Sequence, residues 1–416
     1  MPHLHVALVT ERPEASLIPI LQLRPQQIWL VADRQRRQAA ERLHILLQHE
    51  LSSPTRIRIL DDLPENDPQR ISSYAARLAD TLQQQRASTP GLHVTYDLAD
   101  SNKLTTLLFQ QAMRHCDAEW LYIDARAGTL YRMDPEFQPT SLQAHAIESV
   151  LDIDIYLQAN GRKRVKALSD STTWQTAAGQ RKPLTRYLAH QADKLAGLMG
   201  EFHELVHGKG GVIEEPSPRE GPRLNTAARQ QWLGHPPRFP CTDALTQLND
   251  AGLLEWTSDQ PRRVAFPTLE GALYLGGAWL TEYVWHCARD AGLAHIACTA
   301  HILDLSGQHN GAPVVSDCLA MHHNQLLFIE CLTTRPGPEA CLSQGLRKLH
   351  EIPEHSAGLA GTSVLIACGE FDKAHQHLTD IRRTQGLKVE VMESAALKYL
   401  PDHFKSWMES GRWSIT

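Results

Sequence analysis

The sequence predicts an α/β protein in three parts. An N-terminal domain (residues 1–148) is built on a mostly parallel sheet. A linker and a small winged-helix-like unit follow (149–265), and then a second α/β domain (266–416). Three observations predict this. Short apolar runs alternate with helical periods through the first third. A helix, helix and strand are read in sequence between 224 and 266. Strand and helix signals resume over the last 150 residues. The length of 416 residues suits two or three domains of about 100–200 residues each.

The elements follow in order. His5 to Val9, Ile28 to Ala32, Arg56 to Leu60, His93 to Leu98 and Glu119 to Asp124 read as strands. Between them, Ala15 to Leu23, Gln38 to Leu51, Ile71 to Gln85 and Leu104 to His115 carry helical spacing. Such alternation implies parallel strands covered on both faces, with ligands bound outside their carboxyl ends. Ile153 to Leu157 and Arg164 to Leu168 flank Ala159-Asn160-Gly161-Arg162 and read as a hairpin. Thr185 to His207 reads as one long helix, Leu224 to Leu233 and Asp243 to Leu254 as two more, and Arg262 to Phe266 as a strand. The second of those two helices has no dense basic stretch, so a spacer role is favoured over DNA binding for this unit. Leu269 to Cys287 is a helix; Ile296 to Leu305, Val314 to Met321 and Gln325 to Leu332 are strands. A helix over Ala340 to Ile352, a strand over Ser363 to Cys368, a helix over Phe371 to Gln385, a strand over Lys388 to Val391 and a closing helical segment over Ala395 to Met408 complete the chain.

Composition excludes several classes. Hydrophobic residues at 42% and charged residues at 21% rule out global disorder. With 41 Lys and Arg against 47 Asp and Glu, the net charge of −6 excludes a uniformly basic nucleic-acid binder, though not a local basic groove. Eight cysteines form no Cys-x-x-Cys pair, which argues against a zinc ribbon. No apolar run reaches the roughly 18 residues of a membrane span. No signal peptide is read at the N-terminus, so a cytoplasmic protein with reduced thiols is expected.

Two constellations carry chemistry. Asp317 and Glu330 are lone acids inside apolar strands joined by a short turn, and Glu282 sits in an apolar helix upstream. A carboxylate in such a setting needs a metal, a cation or hydrogen bonds. Facing acids of this kind suit Mg²⁺ or Mn²⁺, which prefer oxygen ligands; two edge-strand acids facing solvent are the bland alternative. The second constellation is Asp100-Ser101-Asn102-Lys103 with Thr105 and Thr106, at a strand-to-helix junction. Free amides, hydroxyls and a lysine at a helix N-terminus favour an anion. Ordinary capping explains Asp100 and Ser101 but not Lys103 in the first turn.

The spacing of Asp317 from Ile329-Glu330-Cys331-Leu332-Thr333 resembles the PD-(D/E)XK nuclease motif. Gly276-Gly277-Ala278-Trp279-Leu280-Thr281-Glu282 and Gly345-Leu346-Arg347-Lys348-Leu349 are similar to the flanking helices of one branch, in which a CARF domain precedes the nuclease. Thr10-Glu11-Arg12-Pro13 after the first strand extends the resemblance to the N-terminus. It implies a Rossmann-like CARF domain, a winged-helix-like middle unit and a PD-(D/E)XK nuclease-like C-terminal domain. The implied function is that of a type III CRISPR ancillary effector: a homodimer that binds cyclic tetra-adenylate or another cyclic oligoadenylate and then cleaves DNA or RNA with Mg²⁺ or Mn²⁺. Thr10, Glu11, Ser101, Asn102, Lys103, Thr105 and Thr106 would contact the ligand, and Glu282, Asp317 and Glu330 would hold the metal. In that branch the position of Leu332 is a lysine and that of Val315 commonly an acid. Lys348 or Arg347 is the candidate replacement cation, and a non-catalytic sensor with a degenerate nuclease domain is the alternative.

Overall fold

The computed structural model describes residues 1–51, 54–97, 103–114, 116–124, 127–136, 142–214, 221–305, 313–333, 349, 361–368 and 389–413. Apolar runs at the N-terminus become the strands of one sheet: β1 (His3–Leu8), β2 (Gln27–Asp33), β3 (Arg56–Leu63), β4 (His93–Asp97) and β5 (Glu119–Asp124). All five run parallel, in the order β3-β2-β1-β4-β5. The crossovers contain α1 (Pro13–Leu23), α2 (Arg37–Glu50), α3 (Pro68–Ser88) and α4 (Lys103–Met113). Local chemistry sets the helix starts. The Asp67 carboxylate accepts from the backbone N–H groups of Gln69 and Arg70, and Pro68 opens α3. Tyr74, Leu78 and Leu82 then repeat on its buried stripe. Two antiparallel strands that the sequence pattern did not reveal, β6 (Thr129–Met133) and β7 (Gln143–Ala146), extend the sheet beyond β5. Apart from buried Leu130 their residues are half-buried or exposed, so neither carries an apolar run.

The expected hairpin at 153–168 does not form. Residues Ile153–Ala159 are a helix, α5, capped by Asp152, whose carboxylate accepts from the Ile155 N–H at 2.7 Å. Ile153, Tyr156 and Leu157 are buried at helical spacing, and Gly161, at φ 72°, turns the chain after the helix rather than between strands. The following strand, β8 (Arg162–Ala167), pairs with a strand far downstream. The single helix expected over Thr185 to His207 is two, α6 (Thr172–His190) and α7 (Ala192–His207), meeting at Gln191. The helix expected over Leu224 to Leu233 is also absent. Two short strands, β9 (Ile213–Glu214) and β10 (Arg223–Leu224), pair antiparallel. Asn225 then accepts from the N–H groups of Ala227 and Ala228 in a turn, and β11 (Gln230–Trp232) follows. With α8 (Cys241–Asp250), β12 (Glu255–Trp256) and β13 (Arg263–Ala265) it forms a small unit whose sheet order is β11-β13-β12.

The C-terminal sheet has six strands in the order β18-β17-β16-β15-β14-β8: β14 (His295–Asp304), β15 (Val314–His322), β16 (Gln325–Thr333), β17 (Thr362–Cys368) and β18 (Val389–Glu393) join β8. The first four from β8 are antiparallel; β16, β17 and β18 are parallel. On one side, Cys318, Leu327, Ile329 and Val364 pack with α7, with α10 (Trp279–Asp290) and with α11 (Leu400–Ser410). α10 is preceded by α9 (Leu269–Leu273) and a π-turn at Tyr274–Ala278, in which Gly277 takes φ 141°. A Cβ on Gly276 would lie 2.7 Å from the side chains of His207 and Val206 of α7, so a larger residue there would force those side chains to shift. On the other side, Leu319, Phe328 and Leu365 share one apolar cluster with α5, with Leu43, Leu46 and Leu47 of α2, and with Ala7 and Leu30 of the N-terminal sheet. A single core thus runs from the first sheet to the second. The helices expected over 340–352 and 371–385 lie outside the described residues except for Leu349, which is helical and buried in this cluster.

Candidate functional site

Ladder hydrogen bonding between β15 and β16 ends at Cys318 and Ile329. One step further, Asp317 faces Glu330, and the carboxylates replace the missing backbone bonds. The Asp317 N–H donates to Glu330 Oε1 at 3.3 Å, and the Cys331 N–H donates to Asp317 Oδ2 at 2.8 Å. Each acid is therefore held by the strand that carries the other. Glu330 is only 3% exposed, while Asp317 is half-buried. On the far side of β15, the β14 ladder also skips Asp317: Cys318 pairs with Cys298 and Ser316 with Ala300, leaving Thr299 opposite the aspartate. Thr299 has φ 50°, a strained conformation for a β-branched residue. The two strands beside Asp317 thus leave its backbone at the same point, which frees the carboxylate edge of the sheet. Nothing in the sequence marked Thr299.

Leu332 lies two residues after Glu330 and so points to the same side of the sheet. It packs against the cluster of Phe328, Leu365 and Leu349. Lys348, the expected replacement cation, and Arg347 lie outside the described residues. Val315 is half-buried on β15.

The structure does not bring Glu282 to this pair. It lies on α10, which packs on the Ile329 side of the sheet, and is 2% exposed. Its carboxylate accepts from Arg181 Nη2 at 2.7 Å and Nε at 3.2 Å, and from the Thr185 hydroxyl at 2.9 Å. Thr185 in turn shares a 2.8 Å bond with the Tyr274 hydroxyl, and Arg181 also binds Glu270. Burial pushes the Glu282 carboxyl above its ordinary value, against the pull of Arg181 and Thr185. Arg181 was not foreseen, because it stands 101 residues away in sequence. Among the described residues no group of three or more histidine, cysteine or acidic side chains is arranged to hold a metal ion. The seven described cysteines are free thiols, and no described helix is long and apolar enough to cross a membrane.

A second site lies at the carboxyl ends of the N-terminal strands. The chain leaves β1 toward β2 and β3 and returns on its other side as β4, so the strand order reverses beside β1. A cavity of about 420 Å³ there is lined by Thr10, Glu11 and Arg12 after β1, Asp33 and Arg36 after β2, Glu65 and Asn66 after β3, and Thr105 of α4. Thr10 is buried, and its hydroxyl accepts from the Arg12 N–H at 3.2 Å. Arg36 bridges Asp33 and Glu11, the latter at 3.1 Å. Three of the expected ligand residues, Thr10, Glu11 and Thr105, therefore share one cavity. Lys103 is exposed at the first position of α4, with Thr106 one turn further on; Ser101 and Asn102 lie outside the described residues. Arg36, Asp33 and Glu65 were missed, although a polar run directly after an apolar strand was the signal that would have found them.

Residues 270–410 match the family model described as the Card1-like endonuclease domain. No curated protein matches the chain in sequence. Protein VC1899 from Vibrio cholerae has a similar structure, with a TM-score of 0.75, 16% identity and 99% of each chain covered. Can2 from Sulfobacillus thermosulfidooxidans, solved in complex with cyclic tetra-adenylate, gives a TM-score of 0.70 at 15% identity, covering 97% of each chain. The nuclease resemblance read from Gly276 to Leu349 is borne out, and the α/β architecture extends over nearly the whole chain. The stretch holding Asp317 and Glu330 thus matches the Card1-like endonuclease domain model, on a chain whose fold is similar to those of VC1899 and Can2.

Proposed function

We propose that the protein is a nuclease of type III CRISPR defence, switched on by a cyclic oligoadenylate and dependent on Mg²⁺ or Mn²⁺. The carrying observation is the reciprocal seating of Asp317 and Glu330 at the point where β15 and β16 part, inside the endonuclease-family domain. Their donor set is oxygen only, which fits a hard divalent cation that retains water and takes substrate phosphate as further ligands. When bound, such a metal activates water and neutralises charge on the scissile phosphate. The chain's own part is orientation. The two backbone N–H donors fix the carboxylates before any metal arrives, and the burial of Glu330 keeps competing water away from one of them. Glu282 is not needed for this set; with Arg181 it ties α10 to α6. Lys348 remains the candidate cation beside the scissile phosphate, and the burial of Leu349 in the cluster that receives Leu332 supports that choice.

The ligand proposed for the cavity at Thr10, Glu11 and Thr105 is cyclic tetra-adenylate, or another cyclic oligoadenylate, shared across the two-fold axis of a homodimer. Lys103 and Arg36 supply positive charge for its phosphates. A second reading, a sensor without catalysis, is favoured by one observation: Leu332 is apolar where the branch has its lysine. Incubation with cyclic tetra-adenylate, Mn²⁺, supercoiled plasmid and single-stranded RNA separates the two. The nuclease cuts at least one substrate only with ligand and metal together; the sensor binds ligand and cuts neither.

A further inference from the structure

The turn between β15 and β16 does more than reverse the chain. His322 pairs with Gln325, and the two residues between them, His323 and Asn324, sit at φ 45° and 63°. Two left-handed residues in a two-residue loop are the usual hairpin turn, and glycine is the usual residue at its second position. The turn alone therefore does not call for a side chain at 324. Asn324 is nevertheless only 8% exposed, and its amide is directed at the segment that leaves the N-terminal domain. Its Oδ1 accepts from the N–H groups of Val150 and Leu151, each at 2.9 Å, and its Nδ2 donates to the Glu148 carbonyl at 2.7 Å.

The same segment is held from its other side by Gln22, in the last turn of α1. The Gln22 Nε2 donates to the Ala146 carbonyl at 3.0 Å, and its Oε1 accepts from the Glu148 N–H at 3.3 Å. Glu148 thus has its N–H on α1 and its carbonyl on the β15–β16 turn. Packing follows the same line: Leu21 of α1, Val150 and Leu151 of the segment, and Leu326 and Phe328 of the hairpin belong to one apolar cluster. Both ends of the line are sites described above. α1 starts at Pro13, directly after the Thr10-Glu11-Arg12 wall of the cavity. From the turn, β15 and β16 stay paired at five successive steps to Cys318 and Ile329, and the acid pair stands one step beyond. A single helix at one end and a paired hairpin at the other leave little slack to absorb a small displacement.

We propose that Asn324 is a positioning residue that couples the cavity to the acid pair. The proposal rests on the ligand reading of that cavity. A ligand that draws on the Thr10–Arg12 wall displaces α1; Gln22 passes the displacement to Glu148, and Asn324 passes it to the hairpin that carries Asp317 and Glu330. Asn324 acts through the hairpin and takes no part in holding ligand or metal.

The test is hydrogen–deuterium exchange of the full chain with and without saturating cyclic tetra-adenylate, in EDTA so that cleavage plays no part. It is read in peptides spanning Asp317 and Cys331, whose N–H groups hold the pair. In the unmodified protein the ligand should shift their exchange by about fivefold or more, the low end of usual coupling between sites. Asn324→Gly, which keeps the left-handed turn and removes the amide, should bind the ligand unchanged and lose that shift. Gln22→Ala should reduce it, and the double variant should lose no more than Asn324→Gly does, as two links in series require. Asn324→Asp, which keeps the acceptor for Val150 and Leu151, should retain part of it and keeps the question answerable if thermal melts show Asn324→Gly unfolded. A residue that only supports the fold would speed exchange equally with and without ligand and leave the ratio unchanged. A full ligand-dependent shift in folded Asn324→Gly would overturn the inference, as would no shift in an unmodified protein that binds the ligand; in both cases the ligand reading stands. No binding of cyclic tetra-adenylate by the unmodified protein would overturn that reading and this inference with it.

Discussion

Asp317 and Glu330 exchange carboxylates across a break in their own ladder, each acid accepting an N–H from the strand of the other. The arrangement orients both acids through backbone N–H groups, which helps two carboxylates to be tolerated inside apolar strands. Asp317→Ala and Glu330→Ala should therefore each abolish Mn²⁺ binding and ligand-stimulated cleavage, while Asp317→Asn retains the hydrogen bond and still loses the metal. Calorimetry with Mn²⁺ and a plasmid assay check this. Robust cleavage that survives Asp317→Ala would place the active site elsewhere.

A separate outcome is expected one step outside the pair. Lys348→Ala should abolish cleavage and leave Mn²⁺ affinity nearly unchanged, because a cation is not a metal ligand. If the unmodified protein does not cleave, Leu332→Lys should introduce weak cleavage, since a lysine two residues after Glu330 shares its side of the sheet. Removing one transition-state donor of this kind typically costs about 3 kcal/mol, or a hundredfold or more in rate. Loss of metal binding in Lys348→Ala would show that the residue acts on the fold and not on the reaction.

Arg181 bears on stability rather than chemistry. Arg181→Ala leaves the Glu282 carboxylate buried without its guanidinium, a loss of about 3–5 kcal/mol by analogy with other broken buried pairs. Glu282→Gln added to it should recover much of that loss. The sign with pH follows from Glu282, whose carboxyl is already raised by burial. In Arg181→Ala it rises further, so stability is retained below the ordinary glutamate range and lost as pH climbs through the higher folded value. Thermal melts between pH 4 and pH 8 read this; a pH-independent deficit in Arg181→Ala would contradict it.

Acid should act on the N-terminal sheet. His5 is fully buried; its Nδ1 meets the Thr95 hydroxyl at 2.9 Å, its Nε2 meets no partner among the described residues, and burial lowers its pKa to about 3. His3, beside the same hydroxyl, is lowered to about 4, first by burial and then by His93. Both bind protons more readily when unfolded. Their contribution to stability is whole above about pH 6.5 and is lost as pH falls toward those folded values. His5→Gln removes the larger share, on the order of a few kcal/mol, so its melting temperature should depend less on pH between 6.5 and 4. Parallel curves for the two proteins would exclude His5 as the source.

Legibility in the sequence followed burial. β1 and β2 were readable as nearly continuous apolar runs and β3 to β5 as shorter runs or alternations between helical periods, and Asp317 and Glu330 stood out because each interrupts an apolar strand. β8 was paired with the wrong partner because Arg162–Ala167 is an edge strand rich in charge, and the Asn160-Gly161 turn beside it resembles a hairpin turn. The Asp152 cap was the overlooked clue to α5. Arg181 reaches Glu282 and Thr299 bends β14 opposite Asp317 only through tertiary packing, which no local pattern records.

The last expectation concerns the cavity. Arg36 bridges Asp33 and Glu11 at its wall and offsets one of their two charges, and Glu65 adds a third acid. An anionic ring entering this cavity therefore meets three carboxylates against the two guanidiniums of Arg12 and Arg36. Lys103→Ala removes one phosphate contact, worth about 1.5–3 kcal/mol or roughly ten- to a hundredfold in affinity. Arg36→Ala removes a cation and also leaves Asp33 and Glu11 facing the ligand uncompensated, so its loss should exceed that of Lys103→Ala. The excess should shrink at high salt, where exposed charges such as Glu11 are screened. Titration calorimetry with cyclic tetra-adenylate at low and high salt measures both effects. If Arg36→Ala binds as tightly as the unmodified protein while Lys103→Ala does not, the ligand lies over the start of α4 and outside this cavity. If neither variant weakens binding, the ring binds at another surface altogether.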